Sequence, residues 1–229
     1  VFDLLKETGL FTVPFPNEYG GMGSMVAACL AIEELGRVCY NSAYMLVVQW
    51  DQFAVLLAGG TPDQKQRFLP GLASGSIRGA FSLTEPQSGS DVAGIRTRAV
   101  KDGDGYRLTG TKIWCTNAAV ADFVLVAART GPADARGVLG LFIVEKGMKG
   151  FSVGPNEKKM GGRGIPSSPL YFDDVFIPFE HVFMDGETDY ASTYPGTRQQ
   201  IRVQEPEPPS RRSPPTSTGR SAGPPRPKA

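Results

Sequence analysis

The order of textures along the chain predicts an α+β protein: an N-terminal α-helical bundle segment, then an antiparallel β-barrel domain, then a disordered tail. Three observations carry this reading. Apolar residues recur at helical spacing up to about Ser76, and from Ile77 short β-branched and aromatic runs alternate with glycine turns. From Pro195 to Ala229 lie nine of the nineteen prolines, among arginines and serines, with almost no large apolar side chain to offset the entropy of ordering. Helices followed by strands, without alternation, argue against a wound parallel sheet. The domains predicted are 1–76 (helical), 77–186 (barrel) and 187–229 (tail).

Each element has its own signal. Leu4, Leu5 and the stop at Gly9 end a first helix, and Pro14-Phe15-Pro16 and Gly20-Gly21-Met22-Gly23 form the loop after it. Met25, Cys29, Ile32 and Leu35 recur at three- and four-residue spacing, which predicts a second helix buried along that line. Ala43 to Ala58 is apolar on nearly every face and reads as the buried helix of the bundle. Thr61-Pro62-Asp63-Gln64 supplies an N-cap, a proline at the first helical position and a Gln that reaches back, so a fourth helix starts here and ends near Gly71 to Gly75. Strands are predicted near 78–84, 95–101, 105–109, 112–115, 122–129, 138–145, 151–154 and 168–176. Asp102-Gly103-Asp104-Gly105 joins two of them as a tight hairpin, because Asp-Gly tolerates the positive φ such turns require.

Composition narrows the function. A net charge of +1 provides no long-range field to gather nucleic acid or an anionic membrane. The longest apolar stretch is broken by Gln49, Asp51 and Gln52, too polar and too short for a membrane span, so a cytoplasmic protein is expected. Three cysteines, none in a CxxC pair, argue for reduced thiols. A single histidine gives no metal-ligand spacing, and His181 reads as a surface residue after the last strand rather than a base. No G-x-G-x-x-G follows a predicted strand, and Gly105 to Lys112 resembles a phosphate loop only in its glycine spacing.

The densest information lies between Gly79 and Ala128. Phe81-Ser82-Leu83-Thr84-Glu85-Pro86 is followed by Ser88-Gly89-Ser90-Asp91 and, after a spacer, by Gly110-Thr111-Lys112-Ile113-Trp114-Cys115-Thr116-Asn117. Together these resemble the flavin-binding signature of the acyl-CoA dehydrogenases. Lys159 to Ser168 and Leu170 to Pro178 look like that family's exit from its barrel domain, departing at Gly164-Ile165-Pro166. Pro14 to Gly23 and Glu33-Glu34-Leu35-Gly36 fit its first domain, so the resemblance covers roughly residues 1–186.

The resemblance implies FAD as cofactor, an acyl-CoA substrate oxidised at Cα–Cβ, an electron-transfer flavoprotein as acceptor, and homotetramers among full-length relatives. It implies that Phe81, Ser82, Leu83, Thr84, Gly89, Ser90, Trp114, Cys115 and Thr116 line the cofactor, with Ser90 also near the CoA portion. Trp114 would pack on the ring face, and the Thr116 hydroxyl would bond near N5. Taken singly, Trp114 is an ordinary core tryptophan and the threonines ordinary strand residues; only the joint pattern says otherwise. Glu85, followed by Pro86, reads as a turn residue accepting backbone hydrogen bonds rather than as a base. The family's base is a glutamate in a third, C-terminal helical domain. No catalytic residue is therefore assigned, and after Gly186 the composition reads as an out-of-frame or fused end, with Val1 falling inside an early helix. The expected product is a fragment of a flavin-dependent dehydrogenase, with an exposed apolar patch and poor solubility. The alternatives are an inactive barrel that binds flavin weakly or not at all, and a flavin oxidase or monooxygenase on the same scaffold.

Overall fold

The computed structural model of the protein describes residues 1–131 and 138–184. Four helices come first: α1 (Phe2–Glu7), α2 (Met25–Val38), α3 (Tyr40–Gly59) and α4 (Pro62–Ser74). Eight strands follow: β1 (Gly79–Ser82), β2 (Arg98–Asp102), β3 (Gly105–Thr116), β4 (Phe123–Arg129), β5 (Leu139–Glu145), β6 (Phe151–Val153), β7 (Ser167–Pro178) and β8 (Val182–Met184). The α+β order is as expected. The tail expected to be disordered and everything after Met184 lie outside the described residues.

Local chemistry explains the helices. Thr61 accepts from the Gln64 amide at 3.2 Å while the Gln64 side chain accepts from the Thr61 amide at 3.1 Å, the capping box read from the sequence. Gln64 has a second task, its Nε2 donating to the carbonyls of Glu180 and Val182 at 3.0 and 3.1 Å, which moors α4 to the strands. α3 is the buried helix, with Leu46, Phe53 and Leu56 at 0–1% exposure. Its Gln49 donates to the carbonyls of Leu72 and Ile77, tying the end of α4 and the link into β1 to the bundle. α2 rotates relative to expectation: it packs through Ala28, Ile32 and Leu35, whereas Met25 and Cys29 face outward. The i, i+4, i+7 line is the one that meets α3.

The strands form one sheet in the order β6-β7-β3-β2-β4-β5-β8, with β1 pairing β4. Most pairs are antiparallel; β1 and β2 both run parallel to β4. The path is open rather than closed on itself. β8 was not foreseen, three residues being too few for an alternation to show. Conversely, the strands expected at 105–109 and 112–115 are one continuous β3. The hairpin between β2 and β3 turns on Gly103 at φ 58° with Asp102 paired to Gly105.

The sheet buries both faces. Phe123, Leu125 and Ala127 of β4 join Phe53, Phe68 and Leu72 of the helices in one core, and the Phe68 and Phe123 rings lie 4.8 Å apart. Val124, Val126 and Ala128 point the other way, into a second core with Leu108, Cys115, Phe142, Leu170 and Val175. Helices and strands are thus cemented by a shared apolar layer, and β4 reads as an unbroken apolar run because neither face meets water.

His181 is buried rather than on the surface. It is 6% exposed, its Nε2 donating to Glu145 Oε1 at 2.5 Å, and Arg67 of α4 reaches the same oxygen at 2.6 Å. The residue expected on the surface is part of the polar seam that docks α4 against β5 and the turn before β8.

Candidate functional site

β3 carries the second signature stretch, and its geometry decides where those side chains point. Tyr106, Leu108 and Lys112 face inward, so strict alternation would put residue 114 inside as well. It does not, because the ladder with β7 slips. Lys112 pairs with Leu170 and Cys115 with Ser168, three steps on β3 against two on β7, which is a one-residue bulge. After it Cys115 points inward and Trp114 outward. The cost sits in the backbone: Trp114 has φ 54°, a left-handed conformation worth about 1–3 kcal/mol of strain for a non-glycine residue. The indole is left 64% exposed, a large apolar face offered to the outside.

The first stretch lies alongside. Ile113 donates its amide to Thr84 O at 3.0 Å, Lys112 Nζ donates to Leu83 O at 2.9 Å, and Cys115 Sγ donates to Phe81 O at 3.4 Å. Phe81, Leu83, Thr84 and Thr116 are half-buried around this crossing, while Gly89 and Ser90 stand exposed at the tip of the loop between β1 and β2. Asn117, at φ 73°, closes the turn after β3 by donating to Gly79 O through its side chain and to Pro166 O through its amide. The Gly164-Ile165-Pro166 departure is absorbed here, Ile165 being buried and Pro166 supplying that acceptor. Beside the turn opens a cleft of about 630 Å³, whose walls include Val120, Asn156, Lys158, Arg163 and Pro166.

Two predicted site residues could meet a cofactor only through their backbone. Ser82 and Cys115 are 1% and 2% exposed, their side chains turned into the sheet core, so neither side chain is available to a ligand. Burial pushes the Cys115 thiol up to about 12, against a smaller opposing pull from the Ser82 hydroxyl, which leaves it inert rather than nucleophilic.

Glu85 behaves as the turn residue expected. It is 3% exposed and accepts from the amides of Arg96 and Thr97 at 2.6 and 2.9 Å and from Lys112 Nζ at 2.7 Å. Burial alone would raise its pKa; the hydrogen bonds from Lys112, Thr97 and Arg96 outweigh that and hold it at about 2. Lys112, fully buried, is shifted down by desolvation, with Glu85 opposing. Lys112 escaped the site reading, although a lysine at an inward position of an otherwise apolar alternation was there to be seen. The phosphate-loop spacing from Gly105 to Lys112 lies wholly inside β3, its lysine committed to Glu85.

Comparison with known proteins identifies the family. The N-terminal domain of acyl-CoA dehydrogenases matches residues 1–76 and the middle domain of the same enzymes matches residues 80–175. The chain belongs to the acyl-CoA dehydrogenase family. Among curated relatives, the cyclohex-1-ene-1-carbonyl-CoA dehydrogenase of Syntrophus aciditrophicus is 41% identical over 182 residues, covering 79% of this chain and 44% of that protein. A chain in the structure of the electron transferring flavoprotein of Acidaminococcus fermentans superposes with a TM-score of 0.76 at 38% identity, over 89% of this chain and 55% of that one. The glutaryl-CoA dehydrogenase of Mycobacterium smegmatis, solved with FADH2, gives 0.72 at 33% identity, over 80% and 47%. The chain spans about half the length of the relatives it matches.

The residues present fit a flavin. A planar, largely apolar ring calls for a flat partner outside the core, which Trp114 provides at a strained position, and for a few polar groups beside it, which Thr84 and Thr116 provide. Among the described residues no helix is long and apolar enough to cross a membrane, and no cluster of side chains could hold a metal ion.

Proposed function

We propose that this acyl-CoA dehydrogenase family chain binds FAD against Trp114 and takes part in the α,β-dehydrogenation of an acyl-CoA thioester. The observation that carries the reading is the exposed indole in a left-handed backbone, two residues from a buried ion pair, on a strand whose neighbouring residues Lys112, Ile113 and Cys115 bond to Leu83, Thr84 and Phe81. The exposed indole leaves apolar surface in water, and covering it would be favourable by roughly 25 cal/mol per Å² of apolar surface.

When bound, FAD supplies the hydride acceptor. The chain's own part is to orient and to exclude water. Trp114 would offer its indole to the ring, Thr116 and Thr84 would offer hydroxyls to its polar atoms, and the exposed Gly89-Ser90 tip would serve the cofactor and the CoA moiety. Glu85 is no candidate for the base that removes the α-proton, since its carboxylate is buried and its oxygens are occupied by Arg96, Thr97, Gln87 and Lys112. That base lies outside the described residues. The domain limits 1–76 and 77–186, supported by family matches over 1–76 and 80–175, and an electron-transfer flavoprotein as acceptor, supported by the name of the Acidaminococcus fermentans structure, belong to the same proposal, as does tetrameric assembly, which rests on the family resemblance alone.

Titration of the chain with FAD tests it. The expected outcome is a yellow complex with quenched tryptophan fluorescence, bleached by acyl-CoA once the base is present. A chain that carries no flavin absorbance after gel filtration and stays unquenched in excess FAD sinks the reading.

A further inference from the structure

The two signature stretches are not neighbours in a ladder where it matters. β1 pairs with β4 only as far as Ser82, and β3 pairs with β2 and β7. Leu83 to Thr97 therefore leaves the sheet, and its position against β3 depends on a few bonds.

Those bonds converge on one pair. Glu85 closes its own loop by accepting from the amides of Arg96 and Thr97 and from the Gln87 side chain. Gly110 lets that loop come close, since a Cβ there would lie 2.5 Å from Thr97 Oγ1 and 2.7 Å from Thr97 Cα. Lys112 then fastens the closed loop to β3 through Glu85 at 2.7 Å and Leu83 O at 2.9 Å, two residues before the strained tryptophan. Both side chains are sealed from solvent, at 0% and 2% exposure. Charge is an unusual choice for filling such a space, because a buried ion pair is often matched in stability by apolar residues of the same volume. What apolar residues could not do is hold a carbonyl, two amides and a strand in one fixed relation.

We propose that Lys112 and Glu85 are positioning residues for the flavin, a buried clasp that fixes the Leu83–Thr84 wall relative to the Trp114–Thr116 wall. This rests on the reading that flavin docks there. Neither residue touches the cofactor; both act through the groups they hold.

The test uses the full chain with both residues neutralised at nearly constant volume, Lys112→Met with Glu85→Gln, so that no lone charge stays buried. Fluorotryptophan labelling gives fluorine NMR signals for the two tryptophans, and Trp50, buried and donating to Leu10 O at 3.2 Å, serves as internal reference. The double variant is expected to unfold cooperatively, to leave the Trp50 signal in place, to broaden or shift the Trp114 signal, and to weaken FAD binding about tenfold, the scale on which supporting contacts act. Unchanged Trp114 resonance and unchanged FAD affinity in a folded double variant would overturn the clasp. If the double variant does not fold, Lys112→Gln with Glu85→Gln, which also leaves no lone charge, decides: a smaller change of the same kind at Trp114 supports the clasp, and none overturns it. A parent chain that takes up no FAD would refute the flavin reading separately, leaving the Trp114 resonance to decide whether the pair positions that wall.

Discussion

β4 and β3 belong to one sheet and are built to opposite rules. β4 is seven residues of unbroken ladder, paired with β1 and β2 on one side and β5 on the other, with Phe123 to Ala128 buried on both faces. β3 is twelve residues long and loses register with β7 twice: opposite Gly110, where β7 carries the extra residue and Asp174 sits at φ 52°, and again at Trp114. One strand holds helices and sheet together; the other spends its regularity to turn an indole outward. On the proposed reading, stability falls to β4 and flavin contact to β3, and a substitution in either should say which.

The largest stability loss should come from β4. Phe123 is 1% exposed, packs its ring at a tilt against Phe68, and sits over Gly79, where a Cβ would lie 2.9 Å from its ring. Phe123→Ala is expected to cost about 3–5 kcal/mol, read as a fall in the denaturation midpoint. If the loss were under about 1 kcal/mol, the shared apolar layer would not be what joins the helices to the sheet.

Acid comes next, and it acts on the β3 side. The Glu85 carboxyl is held at about 2, below its ordinary 4.5, so its contribution is complete above about pH 4.5 and is lost as the pH falls through 2. Denaturation midpoints of the parent should therefore drop more steeply across that window than those of Glu85→Gln. Parallel curves would show that the carboxylate is not the anchor of the loop.

How much of this contrast was visible beforehand also divides by strand. β4 announces itself as a run of Phe, Val, Leu and Ala, and the capping box of α4 is written in four consecutive residues. The joint motif located Phe81 to Thr84 and Trp114 to Thr116 correctly as neighbours, though side-chain directions were out of reach. Alternation from Tyr106 through Lys112 predicts an inward residue 114, and only the pairing with β7, some sixty residues on, inserts the bulge that reverses it. Side-chain burial set by distant partners is likewise invisible at Cys115 and Ser82, which turn their side chains to the core, and at His181, which its sequence position puts on the surface and the fold seats against Glu145 and Arg67. Periodicity is local information, whereas register and burial are set by distant partners.

A smaller effect is expected at the helical end. Thr61→Ala removes the acceptor that satisfies the Gln64 amide and should cost about 1 kcal/mol. Gln64 would also lose part of the orientation that lets it donate to Glu180 and Val182, so a loss near the upper end of the capping range, about 2 kcal/mol, would indicate that cap and mooring are coupled. Thermal melts of Thr61→Ala and Thr61→Ser separate the two, since serine keeps the cap.

The smallest stability change should fall on the most conspicuous residue. Trp114 makes few contacts for its size, being 64% exposed, and it already bears the strain of φ 54°. Trp114→Ala is expected to move the melting midpoint of the flavin-free chain by no more than an ordinary surface substitution, about 0.5 kcal/mol. Trp114→Gly should raise it by about 1 kcal/mol, because glycine occupies the left-handed region without penalty. FAD affinity should move the other way, falling at least about tenfold in both, as removing an aromatic anchor from a binding surface does. A tryptophan whose loss stabilises the empty chain while weakening the loaded one is held in place by its ligand's needs. If both variants were destabilised as strongly as Phe123→Ala and bound FAD as the parent does, Trp114 would be a packing residue, and β3 would follow the same rule as β4.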